Sequence, residues 1–600
     1  MRYLCSAYTV AELMNTEHTR RIHRPAAGAV VPWLLTLSFG LAAGLFFAFR
    51  YPYHLHYQEQ LQLFQWTGSY LREVVLVPGG LADWMGRLLT QFFYHARVGA
   101  VLIGLLLVAI QRATWAHASS KAVLYPLSFI PAVLAWMYLC DENALMGAPI
   151  ALLLALTASL PARGKMGWTG VIALLLYFVA GPMTIVFVLL TPLRGEDRRQ
   201  RIGLLAIGMA ALALALLLAR ATPYPMERLL TGIHYHRIPT VFPLWIGLSA
   251  LAAVALPWMT EGFASRSTRH TTGGVKTTAI GMVLTAGVIV LTWAGIRLTA
   301  DFTKEEAMHY DFMVRMKMWN RTMQTADRKM PRSPFTVTCL NLALAQTERM
   351  ADHQFEYFQN GPEGLLPAFN RDFTSPLPAS EAYYYLGMVN TAQRYTFEAQ
   401  EAITDFQKSV RCYKRLAETN LINGDYSVAR MYLMPLTHTL FYRQWARQTL
   451  ALLGDEEAIE RHPEYGPLRK MRYHEHDFFF SQSEMDSMLG LLCTECPDNR
   501  MALQYLMAWC LTQKDLKRFS DCLPLVHYTR MPRSYQEAFL LMWVQTHDSF
   551  SGLPPFIDEE HISRMTAFME DKQKETPAEQ MAKRYADTYW YYYLYRYNQK

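Results

Sequence analysis

The sequence predicts an all-α membrane protein, a polytopic transmembrane helical bundle followed by a soluble helical-repeat domain. Three observations carry this. Of 600 residues, 52% are apolar and only 18% charged, where soluble globular domains carry roughly 25% charged residues. The charge is also divided. Residues 1–300 hold 23 Lys and Arg against 11 Asp and Glu, and residues 301–600 hold 34 against 39, so the net +7 splits into +12 and −5. Finally, all the long apolar runs fall before residue 300, and the second half of the chain shows amphipathic helical periodicity with almost no strand alternation. A single soluble globule, a disordered chain and a nucleic-acid-binding protein are excluded by these patterns.

Residues 1–25 read as a cytoplasmic tail. Arg20, Arg21 and Arg24 precede an apolar run at 26–49 that is longer than the ~7–15 residues of a cleavable signal core, so this run reads as an uncleaved anchor. Further apolar runs lie at 98–110, 122–140, 144–160, 168–190, 202–219, 241–259 and 278–298, most of them near the ~20 residues that span a bilayer. Arg97 and Arg112 bracket the short second run and can snorkel outward. Gly181-Pro182 interrupts the fifth, so 168–190 is either one kinked helix or a hairpin. Cytoplasmic loops collect Lys and Arg. A hairpin places 15 such residues inside and 8 outside, while a single crossing gives 12 and 11. The hairpin is therefore expected, with nine crossings in a domain spanning 26–300. This topology puts the N-terminus in the cytoplasm of an inner membrane and residues 301–600 in the periplasm.

Beyond residue 300, helix pairs share one plan. Leu416 and Ala417 precede an Asn423-Gly424-Asp425-Tyr426 turn, followed by Ala429 and Leu433. The stretch 383–399 repeats the plan with Leu386-Gly387, and weaker copies run at 340–358 and 503–523. These resemble degenerate tetratricopeptide repeats, in which small residues let paired helices approach, so Ala417, Gly424 and Ala429 are expected at close helix contacts. The closing Tyr589–Tyr595 aromatic run reads as a terminal helix buried against the last repeat. Cys493-Thr-Glu-Cys496, with His474 and His476, offers four zinc ligands, but not in the order of a standard finger, and plain packing is the preferred reading. No metal site is assigned, and the chain has no Walker A, dinucleotide, G-x-S-x-G or H-E-x-x-H motif.

Candidate chemistry lies in three loops that this topology places on the outer face. The first, 50–97, carries His54, His56 and Glu59 among aromatics; the second is Asp141-Glu142-Asn143; the third adds Arg220, Glu227, Arg228, His234, His236 and Arg237. A carboxylate can serve as general base or hold a divalent cation, and arginine can hold phosphate. Glu59, Asp141 and Glu142 are the candidate catalytic residues. His54, His56, Arg228, His234, His236 and Arg237 are the candidate substrate-binding residues.

In layout this arrangement resembles the C-type (GT-C) membrane glycosyltransferases. That resemblance implies sugar transfer from a lipid-linked donor at the outer face, with Glu59 as the first-loop acid and Asp141 and Glu142 as the second-loop pair. Gln58-Glu59-Gln60 stands where that family carries Asp-Glu or Asp-x-Asp. The segments Gln58-Glu-Gln-Leu-Gln-Leu-Phe64 and Pro78-Gly-Gly-Leu81, with the helical outer domain, resemble an uncharacterised bacterial family of multi-pass proteins, which supplies no activity. The expected partners are thus the bilayer and a lipid-linked sugar donor. The alternative is a non-enzymatic scaffold for envelope assembly, binding a protein or peptide on its repeat domain. A transporter is disfavoured, because the spans hold few charges to form an ion path.

Overall fold

A computed structural model describes residues 27–118, 122–161, 166–266, 274–473, 484–526 and 528–596. The expected tail 1–25, and His474 and His476, lie outside the described residues. Among those described there are helices and turns but no strand, and six helices are long and apolar enough to cross a membrane: Val30–Arg50, Ala96–His117, Met166–Arg194, Arg198–Ala219, Leu244–Glu261 and Thr278–Thr299. Val123–Leu139 and Gly147–Ser159 are apolar but shorter.

The first helix, α1 (Ala27–Leu45), continues through a π-helical turn to Arg50 and leads to α2 (Pro52–Gln60), α3 (Gly68–Val75) and α4 (Gly80–Thr90). Next come α5 (Ala96–His117), a 3₁₀ stretch running into α6 (Ile130–Leu139), α7 (Gly147–Ser159), α8 (Met166–Ala180), α9 (Thr184–Leu190), α10 (Arg198–Ala219), α11 (Leu244–Arg266) and α12 (Gly274–Thr299). Between α8 and α9 the chain turns back on itself. Gly181 has φ +59°, open to glycine, and Pro182 lacks the N–H that would continue the helix. At that bend the Tyr235 hydroxyl donates to Ala180 O (2.8 Å) and the Gly79 N–H to Phe178 O (3.0 Å). Contacts at the opposite end fix the direction of both arms. A Cβ on Gly203 would meet Met166 at 2.4 Å, Arg201 pairs with Glu261 at 2.6 Å, and Trp258 Nε1 donates to Leu189 O at 2.9 Å. The arms on either side of Gly181-Pro182 thus run in opposite directions along the bundle.

One end of the bundle gathers α2 to α4, residues 140–146 and the 220–243 loop, and the helical domain sits on it. Asp301 starts that domain by accepting N–H bonds from Thr303 and Lys304 (2.9 and 3.1 Å), capping α13 (Phe302–Arg315). Helix pairs come next, where the sequence pattern placed them. These are α14 (Pro334–Gln346) with Met350–His353, α15 (Pro376–Leu386) with α16 (Val389–Glu401), α17 (Val410–Asn423) with α18 (Tyr426–Leu436), and α19 (Arg500–Thr512) with α20 (Leu516–Cys522).

Two glycines in these turns do different jobs. Gly387 (φ +85°) also needs its missing side chain, since a Cβ would sit 2.5 Å from Met471 O. Gly424 (φ +88°) has open space around it, so it serves the left-handed helix end, not the close approach expected from the repeat pattern. Ala417 and Ala429 are fully buried. Ala429→Trp is expected to overpack the α17–α18 pair and cost about 1–3 kcal/mol in chemical unfolding; an unchanged midpoint would show that the pair has room.

The terminal aromatic helix α21 (Tyr589–Tyr595) buries Tyr589, Trp590, Tyr591 and Tyr592, with the Tyr592 hydroxyl donating to Thr512 O at 2.8 Å. The described cysteines are free thiols, and among the described residues no group of three or more His, Cys, Asp or Glu could hold a metal ion.

Candidate functional site: a cavity between bundle and helical domain

Helix α2 lies between the bundle and the cavity. Pro52 begins it, where a missing N–H costs nothing. Its Tyr53 and His54 N–H groups donate to the Glu305 carboxylate on α13 (2.8 and 2.9 Å), so an acid from the helical domain caps a helix of the bundle. Burial pushes Glu305 up to about 7, with those two N–H bonds opposing.

Helical periodicity gives α2 two working faces. His54 and Gln58, four apart, face the bundle. Gln58 Nε2 lies 3.2 Å from His54 Nε2 and donates to Ala144 O at 3.0 Å. Asp141 accepts from Asn143 N (2.8 Å) and lies 3.2 Å from His236 Nε2, and Glu142 pairs with Lys304 at 2.6 Å. Burial works against charge on Asp141, yet the His236 and Asn143 contacts hold it below the usual carboxylate range. Burial pulls His54 down to about 4, so it is neutral near pH 7, with Asp141 opposing.

The other face, with His56 and Glu59, opens onto a cavity of about 980 Å³. Its bundle wall comes from Ala48, α2 and the Tyr94–Arg97 segment; its helical-domain wall comes from α13, α15, α17 and the stretch 442–465. Glu59 is 4% exposed and accepts from the Tyr442 hydroxyl at 3.0 Å. Burial pushes its carboxyl up to about 7, with Arg315 and Tyr442 opposing. His56 stacks on Phe312 at 4.4 Å, and burial pulls it down to about 3. Arg97 lies over the Phe49 ring and Arg315 over the Phe312 ring, and neither has an ion-pair partner among the described residues.

The structure therefore brings Asp141 together with His54 and His236, and places Glu59 on the opposite face of α2. No hydrogen bond joins Glu59 to Asp141 or Glu142, and neither of those acids lines the cavity. The third loop works as a fastener. Arg228 grips the Asp405 carboxylate (2.8 and 2.6 Å); His234 lies 2.9 Å from Asp83, which pairs with Arg87 at 2.8 Å; and Arg237 donates to Leu61 O at 2.8 Å. Burial lowers Arg237 to about 10. Arg228, His234, His236 and Arg237 do not line the cavity, whereas Arg315, Arg411, Arg415 and Tyr442, on which sequence reasoning was silent, do. Arg411, Arg415 and Glu418 share one helix at spacings that advertise side-chain pairing, but nothing in the sequence ties them to Glu59.

The raised Glu59 carboxyl has a consequence for stability. A carboxyl that binds its proton more tightly when folded contributes stability fully present below its ordinary value of 4.5 and lost as pH rises through about 7. Glu59→Gln is therefore expected to remove part of the decline in stability between pH 4.5 and 7, measured by unfolding at several pH values. A parallel decline in both proteins would mean that Glu59 keeps an ordinary pKa.

A family model described as a family of unknown function (DUF6057) matches residues 29–596. No curated protein and no solved structure matches the chain.

Proposed function

The chain belongs to that family of unknown function, and because the family brings no activity with it, we propose one from the site: glycosyl transfer from a lipid-linked donor at the outer face of an inner membrane, with the helical domain in the periplasm. The observation that carries this reading is Glu59, a buried carboxyl with a pKa raised to about 7, at the wall of a cavity shared by the bundle and the helical domain. A carboxyl tuned near neutral pH suits a general base. Ala48 and Arg97 belong to the ends of two apolar helices, so this wall lies at the level where a bilayer would meet water. A donor anchored in lipid could present its phosphate there.

In the proposed step Glu59 takes the proton of an acceptor hydroxyl as the new glycosidic bond forms. The bond between the sugar and the lipid phosphate breaks, and the phosphate leaves with the electron pair. Arg97 and Arg315, unpaired in the cavity, are suited to that developing negative charge. Asp141, His54 and His236 act as positioning residues behind α2, Glu142 ties the second loop to Lys304 on α13, and Arg228 and Arg237 hold the third loop against the helical domain and the segment after Glu59. Arg97→Ala is expected to raise the donor KM about tenfold or more with a smaller effect on kcat if it grips the ground-state phosphate. Unchanged kinetics in a folded Arg97→Ala protein would remove it from the site.

A further inference from the structure

The two ends of the cavity differ in chemistry, and we infer that the helical-domain end is a binding subsite for a neutral carbohydrate. Its role as acceptor subsite rests on the transfer reading; the binding itself rests on the wall. Four cations and four carboxylates are matched there. Arg411 grips Asp311 through two bonds (2.8 and 2.9 Å), Arg415 contacts Glu381 and lies 2.9 Å from Glu418, Lys414 lies 3.8 Å from Glu418, and Lys317 pairs with Glu464 at 2.8 Å. Arg415 also sits 3.6 Å over the Tyr384 ring. Asp311 lies behind the lining and the unpaired Arg315 acts on Glu59 at the other end, so these pairs make this end dense in polar groups with no net charge among themselves. Away from Arg97 and Arg315, an anionic ligand would have to break a partly buried pair to find a cation, at the cost of leaving a carboxylate unmatched. A polyol has no such cost, because its hydroxyls donate to the spare lone pairs of the carboxylates and accept from the cations while each pair stays intact.

The aromatic residues complete the case. Trp445 and Tyr385, both partly exposed, line this end of the cavity, and neither the indole N–H nor the phenol hydroxyl has a hydrogen-bond partner among the described residues. Lys414 lies 5.0 Å from the Trp445 ring and Lys317 6.0 Å from the Tyr385 ring. An apolar ring face beside a polar edge matches a sugar, which presents C–H groups on one face and hydroxyls at its rim. A peptide would need an exposed sheet edge, an apolar groove for an amphipathic helix or a proline-rich docking groove. Among the described residues there is no sheet, and the charge pairs interrupt any apolar groove on this wall. The cavity's roughly 980 Å³ is at the upper end of the range of about 300–1,000 Å³ for small-ligand sites.

The test uses the full chain in lipid nanodiscs, titrated with maltohexaose, cellohexaose, an anionic hexagalacturonate and a mixed-sequence decapeptide. At least one neutral hexasaccharide is expected to bind, and Trp445→Ala and Tyr385→Ala are each expected to weaken it about tenfold or more. Trp66→Ala, an exposed tryptophan outside the cavity, should leave binding unchanged. A thermal melt identifies any variant that fails to fold, and Trp445→Phe, which keeps an aromatic face, should then retain most of the affinity. The titration contains no lipid-linked donor, so a failure of the transfer reading leaves this result untouched. Binding of only the anionic sugar or only the peptide, no binding of either neutral hexasaccharide, or equal binding by the folded Trp445→Ala and Tyr385→Ala proteins would overturn the inference.

Discussion

Replacing Glu59 with Gln is expected to cut glycosyl transfer from a lipid-linked donor by about 10²-fold or more, with the protein still expressed and folded. The substitution keeps the size of the side chain and a hydrogen-bonding oxygen for the Tyr442 hydroxyl, and removes only the group that accepts a proton. The pH dependence gives the same claim a second readout. A base must be ionised to act, so wild-type transfer at subsaturating donor should rise as pH passes through about 7 and level off above it. Glu73→Gln is the control, because Glu73 is exposed on α3 and lines no part of the cavity. If the two variants behaved alike, Glu59 would not be the base, whatever the fold. The scaffold alternative expects both to be silent.

Arg411→Ala is expected to be strongly destabilising, because Arg411 joins a buried ion-pair cluster of the helical domain to Gln60 of the bundle. Arg411 binds Gln60 Oε1 (3.1 Å) next to Glu59, both oxygens of Asp311, and Glu381, with every charged side chain in this set under 10% exposed. Truncation leaves the buried Asp311 carboxylate without its cation and Glu381 with Arg415 alone, a loss of about 3–5 kcal/mol. A thermal melt in detergent is expected to fall by about 10 °C. Lys329, whose pair with Glu306 is largely exposed, provides the contrast: Lys329→Ala should shift the melt little. Equal melting of the two variants would mean that the Arg411 cluster is hydrated in solution.

Length and apolar composition were enough to find the long passes, and Gly181-Pro182 marked a break because those two residues alter what the backbone can do. The pairs at α15–α16 and α17–α18 were legible for a similar reason. Their turns need a left-handed residue, and Gly387 and Gly424 supply it. What the sequence could not reveal is which charges meet. Arg228 looked available for phosphate until Asp405, 177 positions away, was seen to take both its terminal nitrogens. Glu59 looked like one member of an acidic group with Asp141 and Glu142. Adjacent positions on a helix point to different faces, however, so Gln58 turns toward Asp141 while Glu59 meets Tyr442, 383 positions later. The raised pKa of Glu59 is likewise a property of burial by distant elements, which local spacing does not encode.

Consumption of a lipid-linked sugar at this cavity, as proposed, is tested most directly by the lipid and glycan profile of cells carrying the wild-type chain, no chain, or Glu59→Gln at equal protein level. One glycoconjugate is expected to be missing, and a phosphate-linked lipid sugar to accumulate, in both the deleted and the Glu59→Gln cells, with Glu73→Gln cells indistinguishable from wild type. Identical lipid and glycan profiles in all four strains would contradict it.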